Sequence, residues 1–413
     1  MPKIEHWQSA GGAAVYFIHA PELPMIDLQI AFAAGSSRDA EQWGLANFVA
    51  SMMNEGAGGL DADAIAAGFD RIGANYSGSA SRDMAMLSLR CLTNEPILKA
   101  ASALFATLLT EVNFPEDALE RVRQQIMVSL TAEEQSPASI ASKAFFSTLY
   151  GDHPYAHTTS GEKQIVSDLT AKDLQKFYQQ YYVQRNATVA VVGALSRPQV
   201  EALVESVMGK LPQGEAAPTL PAVAAVSESV QKVIDYPSSQ THLLMGQPGY
   251  AHGDVDRFAL YLGNHILGGS GLTSRIIEEI REKRGLSYSA YSYFSPMQLQ
   301  GPFMLGLQTK NAKRDEALSV LNATLKRFIE EGPTAEEVQR AKNNITGGFP
   351  LSIDSNSDLL GFLLTIGFYQ LPLDYIDTFT QNIEAVTAEA IREAFRRRIH
   401  PQQMVTVMVG SGG

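Results

Sequence analysis

The sequence predicts an α+β protein made of two homologous domains, each an antiparallel sheet packed with helices, joined by a linker. Three observations lead there. At 413 residues the chain is too long for one ordinary core, and about 150 residues per domain points to two. The segments LTAKDLQKFYQQYYVQRNATVAVVG, ending at Gly193, and VTAEAIREAFRRRIHPQQMVTVMVG, ending at Gly410, follow one plan: a capping Thr, an amphipathic helix, a polar break and a β-branched strand closed by Gly. They are offset by roughly 217 residues, which reads as an internal duplication. Strand and helix patterns are mixed in each half without the βαβ alternation of a parallel sheet.

In the first half, strands are expected over 14–19 and 25–34, joined as a hairpin through Ala20-Pro-Glu-Leu-Pro. Helices follow over 43–55, 61–72, 96–111, 115–134 and 137–150, interrupted by one alternating strand around 76–91. The most proline-rich join is Leu211-Pro-Gln-Gly-Glu-Ala-Ala-Pro-Thr-Leu-Pro-Ala-Val. Domains are therefore expected at 1–210 and 231–413, with the linker at 211–230.

A hydrophobic share of 45% with 18% charged residues is that of a soluble globular protein. The net charge of −12 excludes the basic surface that nucleic acid requires. Acidity suits basic or neutral peptides, and it also simply maintains solubility. The lone Cys91 rules out an intrachain disulfide and a cysteine zinc site. No run of about 18 apolar residues is present, so membrane insertion is not expected. The start Met-Pro-Lys-Ile-Glu-His lacks the layout of a secretory leader, which leaves a periplasmic location if a leader was removed and a cytoplasmic one otherwise.

Two segments carry the functional argument. In Gly44-Leu-Ala-Asn-Phe-Val-Ala-Ser-Met-Met-Asn-Glu-Gly-Ala, the residues Leu45, Phe48, Val49, Met52 and Met53 form a core-facing helical stripe. Asn47, Ala50, Ser51 and Asn54 occupy the other face, where two imidazoles one turn apart would hold zinc, and none is a strong ligand. In the second half, Leu267-Gly-Gly-Ser-Gly opens a helix with a stripe of Ile276, Ile277 and Ile280, closed by Gly285. A strand is then expected with Leu286, Tyr288 and Ala290 on one side and Ser287, Ser289 and Tyr291 on the other. Gly268-Gly-Ser-Gly lacks the Lys-Ser/Thr of a phosphate loop. Pro154 breaks any helix through His153 and His157, and His265 is a lone imidazole on a mostly apolar face, so all three read as structural.

These segments resemble the pitrilysin/insulinase family of metallopeptidases, in the two-domain bacterial form similar to mitochondrial processing peptidase. The family's inverted zinc motif is His-x-x-Glu-His on a helix beginning Gly-Leu-Ala-His-Phe. Here the motif reads Asn47-Phe-Val-Ala50-Ser51, and the position of the family's later glutamate ligand falls at Ser129. The resemblance implies that first ligand, general base, second ligand and third ligand are all replaced, so no cofactor is expected in this chain and zinc belongs to a partner. Arg281-Glu-Lys-Arg-Gly-Leu-Ser-Tyr288-Ser matches the family's second signature, whose arginine and tyrosine complete the active site. It implies that Arg281 clamps a peptide carbonyl and Tyr288 donates to the developing oxyanion. Read from spacing alone, Arg281 would complement a helix C-terminus and Tyr288 would fill a sheet. The small residues Ser77, Gly78 and Ser79 match the family's edge strand that receives an extended peptide. The implied partner is a homologous chain with an intact His-x-x-Glu-His; the implied ligand is a peptide. The competing expectation is an inert scaffold or peptide-binding protein of the same fold.

Overall fold

A computed structural model describes residues 3–411. The first sheet has six strands: β1 (Ile4–Gln8), β2 (Ala14–His19), β3 (Met25–Phe32), β6 (Asn75–Ala80), β7 (Ala85–Leu92) and β8 (Ala187–Gly193); β4 (Gly56–Ala57) and β5 (Leu60–Asp61) form a separate small ribbon. Its order is β1-β2-β8-β3-β7-β6. β2 runs parallel to β8 and every other pair is antiparallel. The expected hairpin of 14–19 with 25–34 does not form: β8 lies between β2 and β3 and pairs with both. Val189, Val191 and Val192 of β8 are fully buried, and a strand this apolar gains most in the middle of a sheet. The single strand expected around 76–91 is two strands. Ser81 N–H donates to Met84 O at 2.8 Å and Met84 N–H to Ser81 Oγ at 3.3 Å, closing a tight turn that keeps the alternation in phase on both sides.

The second sheet contains β9 (Val230–Asp235), β10 (Gln240–Pro248), β11 (Ala290–Phe294), β12 (Pro302–Lys310) and β13 (Val405–Gly410), in the order β11-β12-β10-β13-β9. Read from the other end this is the order of the first sheet without β1, and the parallel pair β9/β13 matches β2/β8. The fold is therefore α+β and duplicated.

The chain forms two compact units: residues 1–130, 157–220 and 351–377 in the first, and 131–156, 221–350 and 378–413 in the second. The expected boundaries at 210 and 231 thus differ from the units in two exchanged segments, 131–156 and 351–377. The reason is packing: each sheet has two apolar faces, and the nearby helices cover only one. In the first unit the helix Asn356–Phe368 buries Leu359, Leu360, Leu363 and Leu364 against Ile18, Ala31 and Val192, and Gly367 lets it sit on Tyr16 and Thr188. In the second, the helix Pro137–Tyr150 lies on β10 and β13, with the Phe145 ring on Gly246. The linker is not free either. Gln184 and Arg185 donate to the carbonyls of Pro212 and Gln213, and Arg38 to that of Pro218 at 2.6 Å, laying it along the first unit as far as Leu220.

Candidate functional site

The helix Leu45–Met52 forms as its pattern demands: Leu45, Phe48, Val49, Met52 and Met53 are 3% exposed or less. Its first turn is held by Asp39, a buried carboxylate that accepts Gly44 N–H and Ala46 N–H at 2.8 Å each. Burial pushes that carboxyl up to about 8, against the pull of those two donors. On the polar face, Ala50 offers no donor atom. Ser51 Oγ is committed to the Asn47 carbonyl at 2.8 Å, and Ser129 is exposed. Asparagine, alanine and serine are poor zinc ligands, and these residues do not fit the metal. Among the described residues no group of three or more His, Cys, Asp or Glu is placed to hold one. His153 is buried with Nε2 2.9 Å from Pro221 O and Nδ1 accepting from Tyr155 N–H, and burial lowers its pKa. His157 stacks on Trp43 at 5.5 Å. Cys91 is buried on β7, and burial, then the nearby Asp27 charge, pushes its thiol up to about 11.

In the second unit, Ser274 caps the helix starting at Arg275, which widens into a π-turn over Glu278–Glu282. Single π-turns of this kind concentrate at functional sites. Glu279, nearly buried, gathers Lys283 at 2.9 Å, Arg284 at 2.6 Å and Arg327 at 3.6 Å. Those cations and the hydrogen bond from Lys283 keep its carboxyl below the usual range, against burial. Gly285, at φ +59, then reverses the chain, its N–H returning to Arg281 O at 2.9 Å.

Tyr288 is not a strand residue; β11 begins at Ala290. It sits on a tight loop in which Ser287 Oγ donates to Ser289 O at 2.7 Å and Thr309 Oγ1 holds Leu286 O at 2.6 Å. That loop lifts the phenol out until it is 83% exposed. The Arg281 guanidinium stacks on its ring, 4.6 Å from the centroid, and pairs with Glu282 at 3.4 Å. The two residues singled out in the sequence therefore stand side by side at the surface of one unit.

Tyr288 also borders a groove of about 380 Å³, lined further by Ala138 and Ser142 of the helix Pro137–Tyr150, His242 of β10, Tyr291 and Tyr293 of β11 and Gln308 of β12. Of these only Tyr291 was named in the sequence, on the opposite side of the expected strand from Tyr288; because the strand begins at Ala290, both border the one groove. The groove forms between a sheet and a helix distant in the chain, so no local spacing marks it; the alternation of Tyr291 with Tyr293 is the one signal available.

Ser77, Gly78 and Ser79 lie on β6, an outer edge of the first sheet. Because Ser81 hydrogen-bonds Met84 across the turn, ladder alternation directs the main-chain groups of Ser79 and Ser77 to β7 and those of Tyr76, Gly78 and Ala80 outward. Among the described residues nothing pairs with this outer side. A Cβ at Gly78 would come within 2.9 Å of Tyr76 Oη and 3.3 Å of Ala50 O, so the bare glycine keeps the edge clear beside the Leu45–Met52 helix. The equivalent edge of the second sheet is closed: Asn264 Nδ2 donates to Ser292 O at 3.1 Å, and Ser292 Oγ to Asn264 Oδ1 at 2.7 Å.

The chain is thus a duplicated α+β fold with no metal-binding cluster among the described residues and with an Arg/Tyr pair at the surface of its second unit. Residues 15–163 match the model of insulinase, peptidase family M16, and residues 168–345 that of the peptidase M16 inactive domain. A solved structure described as the peptidase M16 inactive domain from Pseudomonas fluorescens is 38% identical, covering 99% of this chain and 98% of that one with a TM-score of 0.96. The chain belongs to peptidase family M16. A Helicobacter pylori protein named non-peptidase homolog YmxG is 26% identical over 94% of this chain and 90% of its own length. A protease structure from Helicobacter pylori shares the fold, with 21% identity, full coverage of that chain, 99% coverage of this one and a TM-score of 0.89. No helix among the described residues is long and apolar enough to cross a membrane.

Proposed function

We propose that this chain is the non-zinc subunit of a heteromeric zinc metalloendopeptidase, contributing Arg281 and Tyr288 to peptide binding and oxyanion stabilisation in the active site of a homologous partner with an intact His-x-x-Glu-His. One contrast supports this reading. The guanidinium of Arg281 stands 4.6 Å over an 83% exposed Tyr288, both open to a ligand, while the positions matched to metal ligands and base carry Asn47, Ala50, Ser51 and Ser129. A planar charged fork suits a peptide carbonyl, and an adjacent hydroxyl can donate to the oxygen on which charge develops. The stacked geometry restrains both side chains before substrate arrives, so less ordering entropy is lost on binding. An extended peptide would meet the outward main-chain groups of Tyr76, Gly78 and Ala80, leaving Ser77 and Ser79 to contact it only through their side chains.

The test is reconstitution with the His-x-x-Glu-His partner. Arg281→Ala or Tyr288→Phe is expected to lower turnover about 100-fold or more with zinc content of the pair unchanged. Wild-type rates from both variants would refute the assigned roles. The names inactive domain and non-peptidase homolog, borne by similar proteins, favour a second reading: an inert scaffold or peptide-binding protein of this fold. Peptide binding without any turnover in the pair would select it.

A further inference from the structure

The groove beside Tyr288 has a defined origin. Registers place His242, Leu244 and Gly246 of β10, Gln308, Gly306 and Met304 of β12, and Tyr291 and Tyr293 of β11 on one face of the second sheet. The helix Pro137–Tyr150 covers that face unevenly. At its C-terminal part Phe145 closes down on Gly246; nearer its start the helix faces the groove with the small residues Ala138, Ala141 and Ser142. On the open side Tyr291 lies across Gly306, where a Cβ would come within 2.5 Å of its hydroxyl, and stacks on Tyr293 at 5.8 Å. Tyr288, Tyr291 and Tyr293 thus wall a trough floored by Leu244 and Met304 and edged by His242, Gln240 and Gln308.

Among the described residues not one Asp, Glu, Lys or Arg lines it, although the chain carries a net charge of −12. A charged occupant would lose hydration without finding a counter-charge on the lining, since Arg281 on the ring of Tyr288 already pairs with Glu282 and burial lowers the pKa of His242; an aromatic ring would find stacking partners and amide and hydroxyl groups at its rim. At about 380 Å³ the groove lies near the lower end of ligand pockets, which run from about 300 to 1,000 Å³, so it suits a side chain rather than a folded partner.

We propose that this groove is a specificity pocket for an uncharged aromatic side chain of a peptide, next to the segment held by Arg281 and Tyr288. The assignment rests on the peptide-binding reading above through the shared Tyr288. Its test uses the full chain and acetylated, amidated Gly-Gly-X-Gly-Gly peptides with X as Phe, Leu, Glu or Lys, titrated by calorimetry. The Phe peptide is expected to bind at least about 10-fold more tightly than the Glu or Lys peptide. Ala138→Trp, at an exposed position, fills the trough and is expected to remove that preference. Gln308→Glu is expected to turn it towards Lys. Equal binding of all four peptides, no binding of any, or a preference for Phe untouched by both variants would overturn the proposal. The two readings fail separately: loss of Phe selectivity in these variants beside unchanged turnover for Arg281→Ala sinks the catalytic role and keeps the pocket, and the reverse pattern sinks the pocket alone.

Discussion

Position for position, Ser77 and Ser79 of β6 match Tyr291 and Tyr293 of β11, Asp27 and Arg90 match His242 and Gln308, and Gly78 matches Ser292, because Ile30 and Met245 occupy the same node of the repeated ladder. One strand order therefore carries two unlike surfaces. The first sheet presents small hydroxyls and an Asp27–Arg90 ion pair at 2.5 Å on the face where the second presents aromatic rings and amides. At the edges the contrast inverts: β6 is bare at Gly78, whereas Asn264 clasps β11 at Ser292. A duplicated backbone thus separates main-chain recognition, which needs an unpaired edge, from side-chain recognition, which needs a walled trough.

The clasp is the place where breaking the contrast should cost most. Asn264→Ala would leave the buried Ser292 carbonyl and hydroxyl unpaired and is expected to lower stability by about 2 kcal/mol in urea unfolding; a loss under about 0.5 kcal/mol would mean that water replaces the amide. Ala80→Pro removes an outward N–H without touching the β7 ladder and without adding a Cβ where Gly78 has no room for one. Binding of an extended peptide is expected to weaken about 10-fold, or about 1.4 kcal/mol, while unfolding stability stays within about 1 kcal/mol; unchanged binding would show that the edge is not the docking line. The smallest difference lies in acid sensitivity. In the second unit Arg275 grips Glu337 bidentately at 2.7 and 2.6 Å; in the first, Arg123 holds the carbonyls of Val166 and Leu169, which do not titrate. Burial by itself would raise the Glu337 carboxyl, but the hydrogen bonds from Arg275 and from the Thr334 cap bring it down to about 2. A lowered folded-state value means that this stabilisation is present above the ordinary glutamate range and disappears as pH falls from about 4.5 towards 2. Hydrogen exchange at pH 3 should then show the helix Ala335–Gly348 loosening before the Glu116–Glu134 helix, with Glu337→Gln, costing about 1 kcal/mol, abolishing the pH dependence.

Most of this architecture was legible residue by residue. Leu45, Phe48, Val49, Met52 and Met53 announce a buried helix face, and Thr170 and Thr387 mark the duplication. The resemblance to the inverted zinc motif points to Asn47, Ala50 and Ser51, and their side-chain types show that none coordinates zinc well. What escaped was non-local. A tight turn at Ser81–Met84 preserves strand alternation, so two strands read as one, and nothing near Ala20–Pro24 reports that β8 will come between β2 and β3.

Sequence by itself thus determined the fold class and the repeat, because each depends on periodicity within a short window, whereas the degenerate metal positions and the Arg281/Tyr288 pair were marked by the family resemblance of two short motifs and not by spacing. Tertiary structure alone decided that the helices Pro137–Tyr150 and Asn356–Phe368 exchange units, that Tyr288 is lifted out of its strand under the Arg281 guanidinium, and that Tyr291 and Tyr293 wall a trough. These features depend on which apolar faces meet, and that is settled by burial summed over residues far apart in the chain.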